Sequence, residues 1–302
     1  MVLTRRELLS GAVAAGGLWS LGCRAGEPAA GARSAGRTGG AGPTDRMPVA
    51  FVGHGSPMIV LDEAKGAELR AWGSSIPEPR AILVVSAHWE QAPATLGPTR
   101  AVPLIYDFYG FPPELYRVRY PAPAAPELAR RVAALVPDVR IDEDRGLDHG
   151  TWTPLRWLFP DARIPVLQLS IPSHDPRALH RLGHDLAPLR DEGVFLLGSG
   201  NVVHNLRRIA RRPDEPTPSW AAEFDQWLVE SLARRDVDSL LDWERRAPAA
   251  TLAHPTVEHF VPLLVSLGAA TDDLSRLHYP ISGFEHSSIS RRSLSWGQDR
   301  RT

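Results

Sequence analysis

Imidazole is the commonest protein ligand for zinc and iron, and a neutral ring costs little to bring beside a divalent cation. Five of the eleven histidines in this 302-residue chain stand out by their short contexts, two of them beside glycine. These are Gly53-His54-Gly55, Ser86-Ala87-His88-Trp89, Asp148-His149-Gly150, Val203-His204-Asn205 and Glu258-His259-Phe260. Several close what read as buried strands, which aims them at one edge of a sheet. That is the pattern of a mononuclear metal site. The single cysteine, Cys23, permits neither an intrachain disulfide nor a thiolate site. A metal would therefore be held by imidazole, carboxylate or water.

Four apolar runs, 48–52, 81–85, 164–171 and 194–197, have the unbroken hydrophobicity of parallel strands covered on both faces. Between them, 62–74, 125–135, 152–158, 176–189 and 220–234 carry apolar residues at helical spacing or follow helix-start signals. Strands alternating with helices predict an α/β fold, one domain with a mostly parallel sheet flanked by helices. In such sheets the binding crevice lies beyond the carboxyl ends of the strands. His54, His88 and His204 each follow one of these runs, so residues far apart in sequence are expected close together there.

Composition narrows the partners. The chain is 43% hydrophobic and 23% charged, and 34 Lys+Arg oppose 35 Asp+Glu for a formal net charge of -1. Phosphate neutralisation needs a basic surface, so no nucleic-acid partner is expected. Thr4-Arg5-Arg6-Glu7-Leu8-Leu9, followed by a short run of small and apolar residues, reads as an export signal over 1–23 of the twin-arginine type. Periplasmic localisation follows, with possible lipid anchoring at Cys23 as the one route to a membrane. Residues 24–46 are rich in Gly, Ala and Arg and read as a flexible linker. The catalytic domain is expected over 47–294, with a tail at 295–302. Nothing in the sequence fixes an oligomeric state.

The motifs GHGSPM (53–58), YDFYGFP (106–112), SAHWE (86–90), LDHGTW (147–152), GSGNVVHNL (198–206) and HPTVEHFVPLL (254–264), with the terminal GFEHSSISRRS (283–293), resemble those of the 4,5-DOPA extradiol dioxygenase family. That family belongs to the class III extradiol ring-cleavage dioxygenases, which include protocatechuate 4,5-dioxygenase. The resemblance spans nearly the whole expected domain. It implies that His54, His88 and His259 are metal ligands and that His204 lies beside the metal, either as a fourth ligand or as the acid/base. It places His149 on the substrate side, orienting substrate or oxygen. The cofactor it implies is one divalent metal, Fe(II) as the working ion or Zn(II) as isolated. The co-substrates are a small aromatic diol, DOPA-like or another substituted catechol, and O₂. Ser287 departs from the pattern, standing where the related sequences often carry glycine.

Other readings remain open on the residues alone. The same donors suit a zinc-dependent hydrolase on a related scaffold, or a non-catalytic metal- or partner-binding relative. His149 is an alternative cap for a helix beginning at Thr151, and His254 is the rival of His259. Pro262, inside an apolar stretch, is expected to kink a helix. Tyr106, Asp107 and Phe108 are candidates for an aromatic pocket, with Trp89 and Trp152 packing its wall. His174, His180, His184, His278 and His286 are expected to be surface or structurally satisfied residues.

Overall fold

The computed structural model describes residues 46–297 apart from 211, 213 and 214. The leader and most of the linker expected over 1–46 lie outside the described residues. In chain order the elements are β1 (Val49–Gly53), α1 (Glu63–Ser75), β2 (Ala81–Glu90), β3 (Thr95–Leu96), α2 (Pro126–Leu135), β4 (Arg140–Ile141), α3 (His149–Leu158) and β5 (Val166–Ile171). They continue with α4 (Pro176–Leu186), β6 (Val194–Gly200), α5 (Ser219–Ala233), α6 (Val237–Leu241), α7 (Trp243–Arg246), α8 (Ala250–Ala253) and α9 (Pro262–Ala269). The last are β7 (Leu277–Ile281), β8 (Phe284–Glu285), β9 (Ile289–Ser290) and β10 (Ser293–Trp296).

Eight strands form one sheet in the order β4-β3-β5-β2-β6-β1-β10-β7. The central four, β5-β2-β6-β1, are parallel throughout. They correspond to the four apolar runs, and the expected α/β architecture is present. Along β2 the pleat sends Ile82 and Val84 into a core shared with Leu69, Trp72, Leu155 and Trp157 of α1 and α3. Leu83 and Val85 face the opposite core, with α4, α5 and α9. Burial on both faces explains why these strands read as continuous hydrophobic runs. Among the described residues no helix is long and apolar enough to cross a membrane.

Three local features differ from the sequence-based expectation. Asp148, not His149, caps α3: its side chain accepts from the Thr151 N–H, and His149 is the first helical residue. Pro262 starts α9 instead of kinking a longer helix, because proline has no N–H to lose in a first turn. Strand β2 runs on to Glu90, five residues past its apolar run. Ser86 and His88 within that extension find polar partners, so hydrophobicity stops before the strand does. The expected domain end at 294 falls inside β10, which reaches Trp296.

Candidate metal centre

The carboxyl ends of β1, β2 and β6 deliver three of the five histidines. His54 follows β1 directly, and its N–H donates to Gly200 O at the end of β6 over 3.0 Å. His88 lies within β2, and His204 follows β6 by four residues. His259 is brought in from the chain before α9, where its carbonyl accepts from the Asn201 N–H at 2.9 Å. That approach requires glycine at position 200, since a Cβ there would stand 2.1 Å from His259 O. His149 arrives on the first turn of α3, held by the Asp148 cap. Asp148 also accepts from Ser86 Oγ at 2.8 Å and contacts Gln168 and Arg145, so one buried carboxylate joins β2, α3 and β5.

The rings of His54, His88 and His259 form a nearly equilateral triangle, with centroids 5.0, 5.4 and 5.0 Å apart. His149 lies 3.9 Å from His88 and 5.6 Å from His54. His204 stacks on His259 at 3.5 Å with only 11° between the planes. By donor atoms, two groups lie within 4.8 Å: His54, His88 and His149, and His204, Glu258 and His259. All five histidines singled out in the sequence therefore meet in one place.

The outer ring nitrogens fix the tautomers. Ser199 Oγ donates its proton to Gly150 O, so at 2.9 Å it must accept from His54 Nδ1–H. His259 Nδ1 lies 2.9 Å from the Glu258 carboxylate, which can only accept when ionised. His88 Nδ1 faces Asp107 Oδ2 at 3.7 Å. His54 and His259 thus present an unprotonated Nε2, and the Nε2 atoms of His54 and His88 stand 3.2 Å apart. At that distance the pair is satisfied either by a proton on one nitrogen or by a cation held between the two. Two nitrogens bound to one ion at about 2.1 Å are roughly 3.0–3.4 Å apart for bond angles of about 90–109°. The donor set fits a divalent metal.

Electrostatics keep these rings neutral. Burial, reinforced by the neighbouring imidazoles, holds His54 and His259 well below the ordinary histidine range. His88 is lowered to about 3 by burial and by His149, against the pull of Asp107 and Glu258. His204 is lowered to about 4, chiefly by burial. Asp107 would be raised by its own burial, but contact with His149 outweighs this and brings it to about 2. Its Oδ1 accepts the His149 N–H at 3.0 Å and lies 2.9 Å from His149 Nδ1.

An aromatic wall adjoins the cluster. Phe108 meets His149 edge-on at 5.6 Å, and Tyr106 packs on Trp152 at 5.6 Å. Trp152 is fully buried with Nε1 donating to Ile105 O at 3.0 Å, while Arg145 covers Trp89 at 4.7 Å. His254 is not part of the cluster. It donates from Nε2 to Val202 O at 2.8 Å and sits among Phe224, Trp243 and Phe260. Of the other histidines, His174 pairs with Glu90 on the surface. Ser199 and Glu258 orient the ligand rings without carrying a motif of their own. The signal for Glu258 was its adjacency to His259, whereas Ser199 is distinguished only by the strand end it occupies.

Comparison with known proteins agrees with this architecture. Residues 49–291 match the family described as the catalytic LigB subunit of aromatic ring-opening dioxygenase. A 4,5-DOPA dioxygenase extradiol from Beta vulgaris is 43% identical over 233 residues, 74% of this chain and 87% of that protein. One from Escherichia coli (strain K12) is 41% identical over 265 residues, 83% of this chain and 95% of that protein. A crystal structure of an uncharacterized protein from Escherichia coli K12 superposes with a TM-score of 0.70 at 36% identity, covering 83% of this chain and 99% of the other. The chain belongs to the LigB family of aromatic ring-opening dioxygenases and is an extradiol dioxygenase.

Proposed function

We propose that this enzyme opens the ring of a catechol, DOPA-like or otherwise substituted, with O₂, using one Fe(II) ion held by Nε2 of His54, His88 and His259. The observation that carries this reading is the convergence of the three rings, with Nε2 of His54 and His88 3.2 Å apart and Nδ1 of His54 and His259 held by Ser199 and Glu258. Fe(II) bound there supplies redox and Lewis-acid chemistry that allows an aromatic diol to react with O₂. Zn(II) would fit the same imidazoles and is the ion expected in protein isolated without added iron.

The chain's own residues supply the rest. His204 acts as acid/base and not as a fourth ligand. Metal ligation uses the in-plane lone pair, and two parallel rings stacked at 3.5 Å cannot aim such pairs at one ion. Neutral at working pH, His204 can accept a hydroxyl proton at a ring nitrogen and return it later. Asp107 occupies the Nδ1 side of His149, which leaves Nε2 as the edge that orients substrate or oxygen. Phe108 and Tyr106, backed by the buried Trp152, give a planar ring an apolar surface.

The test is oxygen uptake by enzyme reconstituted anaerobically with Fe(II), then given DOPA, protocatechuate or catechol. Uptake with a yellow ring-opened product, abolished in His54→Ala and lowered at least a hundredfold in His204→Ala, is expected. Metal-loaded enzyme silent on every catechol would refute the proposal. Export through the Arg5-Arg6 leader belongs to the same proposal, and uncleaved protein confined to the cytoplasm would defeat it.

A further inference from the structure

The motif GFEHSSISRRS (283–293) has no part in the chemistry above, yet it reaches the centre from two sides. Glu285, in β8, is buried although it carries a carboxylate. Its Oε1 accepts the Ser56 N–H at 2.5 Å, and its Oε2 pairs with Lys65 Nζ of α1 at 3.2 Å. The loop carrying His54 is wrapped around this group. Gly55 adopts φ +62, and a Cβ there would stand 2.3 Å from Glu285 Oε1. Arg291, just beyond the hairpin, pairs with Glu68 of α1.

The same β8–β9 hairpin holds the loop after β6. His286 O accepts the Ala210 N–H at 3.0 Å, and the Ser290 N–H donates to Val203 O at 3.1 Å. Asn201 Nδ2 donates to Ser290 O at 2.9 Å. His204 lies within the segment so held. One hairpin therefore ties together two histidine-bearing loops that leave neighbouring strands.

We propose that Glu285 is a positioning residue for the metal centre: its carboxylate, seated inside the Gly55 turn, holds His54 at the angle that ion binding requires. This rests on the reading of His54 as a ligand. Groups that support metal ligands typically contribute about 10–100-fold to metal affinity, and Glu285 would act on His54 through the backbone at Ser56. An apolar side chain here would leave the Ser56 N–H without its acceptor and take from Lys65 one of its two carboxylate partners, the other being Asp62.

The experiment measures Zn(II) affinity by competition with a chromophoric chelator, alongside thermal melting of the metal-free chain. Wild type, Glu285→Ala and Glu285→Gln are compared. Glu285→Ala should bind Zn(II) about 10–100-fold more weakly, a loss larger than its fall in metal-free melting accounts for. Glu285→Gln keeps an oxygen for the Ser56 N–H and should recover part of the loss; it carries the test alone if the alanine variant does not fold. Affinity within twofold of wild type in both variants would overturn the inference while leaving the metal site standing. Affinity loss that merely tracks a fall in metal-free melting would also overturn it, as a structural effect. A wild-type chain that binds no Zn(II) would defeat the reading of His54 itself.

Discussion

Ser199 decides how His54 can act, although it would never touch a substrate. Its one proton goes to Gly150 O, which obliges it to accept from His54 Nδ1 and leaves Nε2 bare. Ser199→Ala should therefore lower metal affinity by about tenfold or more, read by chelator competition; unchanged affinity would mean the ring keeps its tautomer without help. Ser287 illustrates the opposite case, a residue at odds with its backbone. It has φ +63 directly after His286 at φ +48, where glycine carries no steric penalty. Ser287→Gly should raise stability by about 0.5–1 kcal/mol in urea unfolding, and a loss would show that the serine hydroxyl matters more than the strain. The departure at this position was legible in the sequence; its cause was not, because φ is a property of the turn. His54 and His88 were legible because each stands near the carboxyl end of an apolar run. The part played by Asp107 was not: it reaches His149 across 42 residues of chain.

At the level of elements, the central strands could be read because burial on both faces leaves an unbroken apolar signature. The edges could not. β7 and β10, with sequences LHYPI and SLSW, mix polar and apolar residues, and β3 and β4 are two residues each. Their strand character comes from partners already in place, not from their own patterning. Helix contacts were equally hidden. Helices α4 and α9 approach so closely that a Cβ at Gly268 would lie 1.9 Å from His180 O, and one at Gly183 would lie 1.9 Å from Val265 O. Helix propensity alone favours Gly268→Ala by about 1 kcal/mol. The backbone clash should reverse that sign, destabilising the protein by roughly 1–3 kcal/mol in denaturant titration. A more stable variant would mean the two helices can part without cost.

For the whole molecule, concentrating neutral histidines in one buried region links folding to pH. His54 and His259 are held far below their ordinary value, His88 is at about 3, and His204 and His254 are at about 4. Unfolded, each returns to about 6.5. Between these values the unfolded chain binds more protons than the folded one, so stability rises with pH there. It is fully present above about 6.5 and is lost as pH falls from there toward about 4, where His204 and His254 begin to titrate in the fold. The metal-free protein should accordingly show urea midpoints that drop across this window, with more than one proton taken up per chain on unfolding. A divalent ion that binds only the folded, deprotonated rings should raise the midpoint at pH 7 and carry the acid limb to lower pH. His254 separates the two effects, because it is buried with the aromatic core and not with the cluster. His254→Gln should flatten part of the acid limb and leave the metal-induced rise intact. A metal-free protein with pH-independent midpoints from 7 to 4 would mean that the cluster opens to water before the fold is lost. In that case the neutrality of its rings would owe nothing to burial.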